Sequence, residues 1–295
     1  MDAQFKIFLN PSAGASRSKK VTWEELKSAF AAQGCAAEVH VLTKTDCVKD
    51  LIDQAEAEGC RGIVSAGGDG TVRSIATAMV GRKTPLGILP LGTFNNTARN
   101  LCIPLDLEEA VKCVCHGKVT GMDVGKSSDN HYFLEAAGVG LDAALFPIGE
   151  EVKSGRFGRL LEAFRIAFSY RPKRIALDIV DHTGATTHLK TRAIWILIAN
   201  GIHYGSNIEV SPEASLYDGL LTVKIIHRFS AMNMLVHFLA VILPIKPSLP
   251  KFTTYEIKSI RMESHSRVPF HVDGEKSGNL PIMFEVLPLA LNVII

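Results

Sequence analysis

The segment Gly67-Gly68-Asp69-Gly70-Thr71 decides how the first part of this chain folds. It follows the apolar run Gly62-Ile63-Val64 and precedes Ile75-Ala76-Thr77-Ala78-Met79, which has the composition of a helix. A strand that ends in glycines and opens a helix can point several backbone N–H groups at one anion, beside the positive end of the helix dipole. The segment therefore predicts a phosphate-binding loop.

Asp69 adds a carboxylate to this loop. Bare phosphate would repel it, which indicates a cation, Mg²⁺, between the two. The loop lacks the Gly-Lys-Ser/Thr ending of a Walker A loop, and Arg73 stands where Gly-x-Gly-x-x-Gly has its third glycine. The alternative interpretation is a tight strand-to-helix turn of the kind found in any α/β protein.

Two further loops have the same setting. Pro90-Leu91-Gly92-Thr93-Phe94-Asn95-Asn96 follows the apolar run Leu86-Gly87-Ile88-Leu89, and Asn10-Pro11-Ser12-Ala13-Gly14 follows Phe5-Lys6-Ile7-Phe8-Leu9. Ligands of open parallel sheets bind at the carboxyl ends of the strands. The three loops are therefore expected side by side at one edge of a sheet.

The order of strand-like and helix-like runs predicts two domains in an α/β chain. Alternation through residues 1–120 predicts right-handed βαβ crossovers and a Rossmann-like nucleotide domain with a parallel sheet at 1–122. A β-sandwich-like domain is expected at 123–295. Helices are predicted at 21–32, 46–59 (opened by Asp46), after Thr71, and at 95–100, 107–115, 156–169 and 231–243.

These motifs resemble the diacylglycerol kinase catalytic family, in its soluble bacterial lipid kinase form, with sphingosine kinases as more distant relatives. The likeness covers nearly the whole chain, and it implies that the chain end can return to the first domain. Beyond the three loops it includes Asn200-Gly201 with Tyr204-Gly205, Ser211-Pro212-Glu213-Ala214, Asp218-Gly219-Leu220 and Val272-Asp273-Gly274-Glu275. It implies an ATP- and Mg²⁺-dependent kinase that phosphorylates the hydroxyl of a lipid substrate.

The resemblance also implies binding residues. Asp69 would hold the catalytic Mg²⁺, directly or through water. A second metal site would use the Asp218 carboxylate and the carbonyls of Ser215 and Leu220, and we expect it to be structural. Thr43 matches a nucleotide contact, although it is equally well an ordinary strand-end threonine. The nucleotide would contact Asn10, Pro11, Gly14, Thr43, Gly67, Gly68, Asp69, Gly70, Thr71, Val72, Arg73 and Thr93.

Glu275 is the expected general base, and Asp273 is the second catalytic carboxylate. Gly274 permits a sharp turn that can present Glu275, and two carboxylates two residues apart could raise the pKa of one of them. The alternative is a surface hairpin, because Asp-Gly is the commonest signal for a two-residue hairpin turn.

Composition narrows the class of protein. A net charge of +2 does not suit a nucleic-acid scaffold, and no nucleic-acid partner is expected. The cysteines form no Cys-x-x-Cys pair, which favours reduced thiols in the cytoplasm. None of the histidines, His265 and His271 among them, has the acidic or cysteine companions of a metal site, so no role is predicted for them.

The stretch 153–174 joins basic and apolar residues at helical spacing. Such a helix can dock on an anionic membrane, which predicts a peripheral location at the inner face of the cytoplasmic membrane. The alternative is a helix that packs on the core. A NAD kinase-like enzyme and a catalytically silent lipid-sensing protein remain the competing functions. Departures from the family pattern at Phe94 and Asn96 leave the acceptor lipid open, and Tyr217 stands beside the Asp218 metal site where the family often has a second acidic residue. The oligomeric state is also open.

Overall fold

The computed structural model describes residues 4–12, 21–145, 148, 157–205, 208–227 and 252–295. The chain divides into two compact units. The first comprises Met1–Val124 and Pro288–Ile295, and the second comprises Gly125–Leu287. The sequence-based boundary at residue 122 lies close to this division, and the last residues of the chain belong to the first unit.

The first unit is built on a parallel sheet. Its strands β1 to β4 lie in the spatial order β4-β3-β1-β2, and all pair in parallel. Three of them are buried along their whole length, as expected of a sheet covered on both faces by helices. The strands are β1 (Phe5–Leu9), β2 (Ala37–Val41), β3 (Gly62–Gly67) and β4 (Leu86–Pro90).

Helices connect these strands as the alternating pattern predicts. They are α1 (Trp23–Ala32), α2 (Val48–Ala57), α3 (Asp69–Met79), α4 (Asn96–Asn100) and α5 (Leu107–His116). Local capping fixes several starts. Thr22 and Glu25 form a capping box at α1, and the Asp106 carboxylate accepts the N–H groups of Glu108 and Glu109 at α5.

The start predicted for α2 was wrong. Asp46 does not cap this helix, which begins at Val48 after Cys47. The Asp46 carboxylate instead accepts the Thr43 N–H (2.9 Å) and contacts the His40 ring (2.9 Å). These bonds lower the pKa of Asp46 to about 2, with the Thr43 N–H as the main cause. Asp46 therefore closes the loop after β2 rather than opening α2.

The second unit is an antiparallel β-domain, as the sequence predicts. Its main strands lie in the order β16-β15-β7-β10-β13-β14, with β8 paired to β14 and β9 paired to β8. The strands are β5 (Val119–Ser127, which begins in the first unit), β6 (Tyr132–Phe133), β7 (Ala136–Gly140), β8 (Lys173–Asp181), β9 (Thr186–Ala193), β10 (Trp195–Ala199), β11 (His203–Tyr204), β12 (Ile208–Glu209), β13 (Leu221–Ile226), β14 (Phe252–Glu263), β15 (Pro269–Val272), β16 (Glu275–Asn279) and β17 (Ile282–Ile294, which ends in the first unit).

One apolar cluster forms the core of this second unit. It takes alternate residues from most of the strands, such as Ile175, Leu177 and Ile179 of β8. This period of two along β8 matches a strand with one buried face.

Helical structure in the second unit is limited within the described ranges. A 3₁₀ turn at Phe157–Arg159 leads into α6 (Leu160–Ser169), close to the predicted 156–169. The helix predicted at 231–243 lies outside the described residues. In the part of the chain that the structure covers, no helix is long and apolar enough to cross a membrane.

Candidate active site

The Gly-Gly-Asp-Gly-Thr loop turns directly from β3 into α3. Gly68 stands before the helix, and its carbonyl accepts the N–H groups of Thr71 (2.9 Å) and Val72 (3.0 Å). Gly70 lies in the first turn, where a helix offers no internal acceptor for backbone N–H groups. A Cβ at Gly67 would lie 2.5 Å from the Cβ of Thr71, so the turn requires glycine there.

The loop after β4 touches this turn backbone to backbone. A Cβ on Gly92 would lie 2.5 Å from the Cα of Gly68, which excludes any side chain at that contact. Asn95 shapes the loop from a left-handed conformation (φ 53°). Its Oδ1 accepts the Gly92 N–H (2.8 Å) and its Nδ2 donates to the Gly92 carbonyl (3.0 Å). The two loops therefore form one surface.

The loop after β1 joins the same surface. Asn10 Nδ2 donates to Thr71 Oγ1 (2.8 Å), while Asn10 Oδ1 accepts the Ser12 N–H (2.9 Å). These side-chain bonds tie the amino-terminal loop to the start of α3. The three strand ends therefore meet at one edge of the sheet.

Together these loops line a cleft of about 1030 Å³ in the first unit. Its lining includes seven of the predicted nucleotide contacts: Asn10, Pro11, Thr43, Gly68, Gly70, Thr71 and Thr93. Gly67, Asp69, Val72 and Arg73 are not among the lining residues, and the Val72 side chain is buried in the core with its N–H used inside the helix. Gly14 lies outside the described residues. Sequence reasoning missed Leu42, Lys44, Val48, Ser74, Ile75 and Gly92, which also line the cleft.

Asp69 is largely shielded from solvent at the first turn of α3. Burial raises the pKa of its carboxyl group, although N–H groups of Thr97, Asn95 and Asn96 act in the opposite direction. The bond from the Thr97 N–H to Oδ1 is 3.3 Å long. Burial thus disfavours the charge on Asp69, and a nearby cation would offset that cost.

This setting fits Mg²⁺. Among the described residues no three His, Cys, Asp or Glu side chains converge as a metal cage. Mg²⁺ does not need one, because it is usually held by one or two carboxylates together with substrate phosphates and water. A single shielded carboxylate beside a phosphate loop is such a donor, so Asp69 would hold the ion.

The Asp218 turn lies in the second unit and is exposed. Asp218 Oδ1 accepts the Leu220 N–H (3.0 Å), and Ser215 Oγ accepts the Tyr217 N–H (3.2 Å). An exposed carboxylate among backbone carbonyls is compatible with Mg²⁺, and the Asp218, Ser215 and Leu220 metal site stays a prediction.

A buried lysine braces the segment that leads into this turn. Lys224 of β13 is 2% exposed, and its Nζ donates to the Val210 carbonyl (2.7 Å) and pairs with Glu213 Oε1 (3.0 Å). A buried charge that loses its partner is strongly destabilising. Glu213 of the Ser-Pro-Glu-Ala motif therefore has a structural role as the partner of the buried Lys224 charge.

Asp273 and Gly274 form the two-residue turn of the β15–β16 hairpin. Both have positive φ, 43° and 81°, as a type I′ turn requires. The hairpin interpretation is therefore correct for the backbone. The Asp273 carboxylate, however, is hydrogen-bonded to the protein. It accepts the N–H groups of Leu134 (2.8 Å), Glu135 (3.0 Å) and Ala136 (3.0 Å). The carboxylate therefore holds the segment 134–136, and a catalytic role for Asp273 stays a prediction. Glu275 follows the turn and is exposed.

The segment 134–136 is held from its other side by the Asn200-Gly201 motif. Asn200 Nδ2 donates to the Leu134 carbonyl (3.0 Å), and the N–H groups of Asn200 and Gly201 both donate to the Glu135 carbonyl. Asp273 and the Asn200-Gly201 motif, which are far apart in sequence, thus both bond to the residues that lead into β7.

His271 is the residue that sequence reasoning missed. It was given no role, yet it is fully buried and bonded to Asp142, Tyr204 and the Gly274 N–H. Only its place two residues before Asp273-Gly274 offered a signal in the sequence.

A separate cavity of about 560 Å³ lies in the second unit at the ends of β8, β9 and β14. Its lining is basic, with Arg174, Lys190 and Arg192. None of the motif residues described above lines it, so it is not the catalytic site.

Comparison with known protein families agrees with this geometry. A model described as the diacylglycerol kinase catalytic domain matches residues 4–127. A second, described as the YegS C-terminal NAD kinase beta sandwich-like domain, matches residues 138–295.

Individual relatives extend over nearly the same range. "Probable lipid kinase YegS-like" of Klebsiella pneumoniae (strain 342) is 29% identical over 252 residues, 84% of this chain and 82% of that protein. "Diacylglycerol kinase" of Staphylococcus aureus (strain MRSA252) is 26% identical over 302 residues, 99% of this chain and 92% of that protein. A crystal structure of a diacylglycerol kinase from Bacillus anthracis str. Sterne has the same fold (TM-score 0.72, 18% identity, 99% of this chain and 96% of that chain).

These matches make the protein an enzyme of the lipid kinase class. Within that class, the chain belongs to the family of the YegS C-terminal NAD kinase beta sandwich-like domain, whose model alone matches more than half of its length, and residues 4–127 match the diacylglycerol kinase catalytic domain.

The shielding of Asp69 leads to a stability prediction for the ligand-free protein. Asp69→Asn should unfold at the same or a higher temperature than wild type at neutral pH, because the amide carries no charge and can still accept the Thr97 N–H. A raised carboxyl pKa destabilises the folded state above that pKa. The difference should therefore vanish below the unfolded-state pKa of aspartate, about 3.9, where both states are protonated.

Thermal unfolding of both proteins across this pH range, without nucleotide or Mg²⁺, measures the effect. Asp50→Asn is the matched control, because Asp50 lies in the first turn of α2 but is exposed. That variant should not gain stability. A clear loss of stability in Asp69→Asn at neutral pH would make Asp69 a structural carboxylate.

Proposed function

We propose that this protein is an ATP- and Mg²⁺-dependent kinase that transfers the γ-phosphoryl group to a hydroxyl of a lipid. The observation that carries the proposal is the Gly-Gly-Asp-Gly-Thr turn, which lines a cleft with two neighbouring strand-end loops. The match of residues 4–127 to the diacylglycerol kinase catalytic domain supports it. Phosphoryl transfer depends mainly on positioning and charge stabilisation, which such a surface supplies.

In the first unit, the chain's own groups would bind and orient the nucleotide. The N–H of Gly70 and the hydroxyl of Thr71 are donors for phosphate oxygens, and the Asn10 side chain holds the Thr71 hydroxyl in place (2.8 Å). Asp46 keeps the Thr43 loop closed at the rim of the cleft. Bound Mg²⁺, held by Asp69, would neutralise charge that develops on the transferred phosphoryl group.

In the second unit, Glu275 would take the proton of the acceptor hydroxyl. The hydroxyl oxygen then forms the new bond to the γ-phosphorus as the bond to ADP breaks, so the products are a lipid phosphate, ADP and a protonated Glu275. Asp273 would support this step indirectly, because its carboxylate fixes the turn that precedes Glu275.

A NAD kinase-like activity is the competing enzymatic function, since the second family model is described as NAD kinase beta sandwich-like. The Pro-Leu-Gly-Thr-Phe-Asn loop and the Asp-Gly-Glu turn favour the lipid kinase. A silent lipid-sensing protein is the competing function of another class. The presence of both Asp69 and Glu275 favours an active enzyme.

We further infer that the enzyme works as a cytoplasmic, peripheral protein at the inner face of the membrane, with α6 as a contact. Leu161 and Phe168 are 79% and 51% exposed, and Arg165 lies between them on the same helical face. The opposite face buries Ala163 and Ala167. Arg159 is paired with Glu162 (2.9 Å), whereas Lys153 and Arg156 lie outside the described residues.

The general base leads to a prediction on turnover. Glu275→Gln keeps the size of the side chain but cannot accept the proton, and general-base assistance is worth about 10²–10⁴-fold in rate. Transfer of labelled phosphate from ATP into a total lipid extract should fall by about that factor, and the affinity for ATP should stay nearly unchanged.

The same assay includes two reference variants. Glu256→Gln alters another exposed glutamate of the second unit, on β14, and should retain full turnover. Asp69→Asn should lose nearly all transfer. Normal turnover by folded Glu275→Gln would remove Glu275 from the role of base, and transfer to NAD instead of lipid would establish the competing enzyme.

The nucleotide site leads to a second prediction. ATP with Mg²⁺ should raise the thermal midpoint, because a ligand that binds only the folded state shifts unfolding by mass action. NAD should produce no comparable shift. Differential scanning fluorimetry with each ligand at equal concentration decides between them, and a shift with NAD alone would contradict the proposal.

The exposed face of α6 leads to a third prediction. Leu161→Ser with Phe168→Ser should weaken binding to vesicles of phosphatidylcholine and phosphatidylglycerol by at least about tenfold, since full burial of such a side chain is worth about 1.5–3 kcal/mol. Arg165→Glu should also weaken vesicle binding, and this loss should be larger at low salt than at high salt.

Vesicle sedimentation measures both effects. Trp23→Ser is the matched control, because Trp23 is an exposed large side chain (46%) on α1 of the first unit. Binding that is equally strong in the α6 variants would return this helix to a packing role alone.

A further inference from the structure

His271 is a polar residue at a buried position of the second unit. It lies on β15 directly opposite Gly138 of β7, and its side chain is completely buried. Its neighbours Phe270 and Val272 belong to the apolar core, so the strand alternation turns His271 to the opposite face. A buried imidazole without partners would be costly, which means that its bonds specify its role.

The hydrogen bonds of His271 determine its tautomer. The Gly274 N–H donates to Nδ1 (3.2 Å), so Nδ1 must be unprotonated. The ring proton is therefore on Nε2, which donates to Asp142 Oδ2 (2.7 Å) and faces the Tyr204 hydroxyl (3.0 Å). The Tyr204 ring stacks on the imidazole with centroids 5.8 Å apart and planes inclined by 4°. Asp142 and Tyr204 thus hold the ring in one orientation and one tautomer.

Gly138 makes room for this arrangement. A Cβ at that position would lie 2.3 Å from Asp142 Oδ2 and 2.3 Å from His271 Nε2. The absence of a side chain on β7 is therefore what allows the carboxylate to reach the ring.

The group that His271 holds is the turn before Glu275. Asp273 carries a side chain and still adopts a left-handed φ of 43°, a conformation that is unfavourable for a residue with a Cβ. The Asp273 carboxylate restrains its own residue through the N–H groups of 134–136, and His271 Nδ1 restrains the next residue through the Gly274 N–H. The two restraints act from different neighbours on consecutive residues of one turn.

We propose that His271, held by Asp142 as the Nε2–H tautomer, is the positioning residue of Glu275. By accepting the Gly274 N–H it fixes the turn and thereby the direction of the glutamate that follows. The inference rests on the proposed role of Glu275 as general base. His271 itself is fully buried and does not contact the substrate, so it acts through Glu275 alone.

The test is a double-mutant cycle on turnover. His271→Phe keeps a planar ring but removes both ring nitrogens, and it should lower kcat by about 10–10²-fold, because small errors in position cost that much. The KM for ATP should stay within about twofold. In a Glu275→Gln background the same substitution should cost nothing further, because the group it positions is already inactive.

His271→Asn and His227→Phe are the reference variants. The amide oxygen of Asn can take the place of Nδ1 as an acceptor, so His271→Asn should recover part of the lost turnover. His227 lies in the same unit with its own polar partners, Thr253 and the Arg192 carbonyl, and His227→Phe should leave kcat unchanged. If His271→Phe does not fold, Asp142→Asn replaces it in the cycle, with the same expected non-additivity and a smaller loss.

Long-range ¹H–¹⁵N correlation of the histidine rings supplies a readout that does not depend on activity. His271 should show a protonated Nε2 and an unprotonated Nδ1 at neutral pH. A protonated Nδ1, full kcat in a folded His271→Phe protein, or losses that simply add in the Glu275→Gln background would each overturn the inference. Normal turnover by Glu275→Gln alone would instead overturn the proposed base, and the tautomer measurement would still test the His271 to Gly274 bond.

Discussion

The contact between Gly68 and Gly92 is the constraint on which the first unit's site depends. Two strand-end loops meet there through backbone atoms, and a Cβ on Gly92 would lie 2.5 Å from the Cα of Gly68. Because the backbones meet directly, the start of α3 and the loop after β4 share one surface, and the Thr97 N–H reaches the Asp69 carboxylate. A side chain at Gly92 would separate the loops and open the cleft that their residues line.

Several carboxylates in this protein accept hydrogen bonds from backbone N–H groups of loops and turns. Asp46 closes the loop at Thr43, Asp218 accepts the Leu220 N–H within its own turn, and Asp273 holds three consecutive N–H groups. Each satisfies backbone donors that an irregular segment would otherwise leave unpaired. Asp69 differs from these three carboxylates because burial raises its pKa. Glu275 differs from them because it is exposed just beyond a turn that other residues hold.

Buried polar side chains in the second unit hold two of its turns in place. Lys224 braces the segment before the Asp218 turn, and His271 with Asp142 braces the turn before Glu275. A buried polar network is rigid only when every member finds a partner, since an unpaired buried group is costly. This arrangement explains how exposed residues on short hairpins can keep a defined direction.

Local sequence determined the βαβ order, the glycine turn at 67–71, the antiparallel character of the second part and the family. These features follow from residues close together in the chain: apolar periodicity, glycines at strand ends and Asp-Gly at a hairpin. The start of α2 was predicted wrongly, because Asp46 had a competing backbone partner in Thr43. The tertiary structure alone decided what Asp273, Lys224 and His271 do. Asp273 and His271 have partners far away in sequence, such as Asp142, which precedes His271 by 129 positions, and no local pattern can encode such a contact.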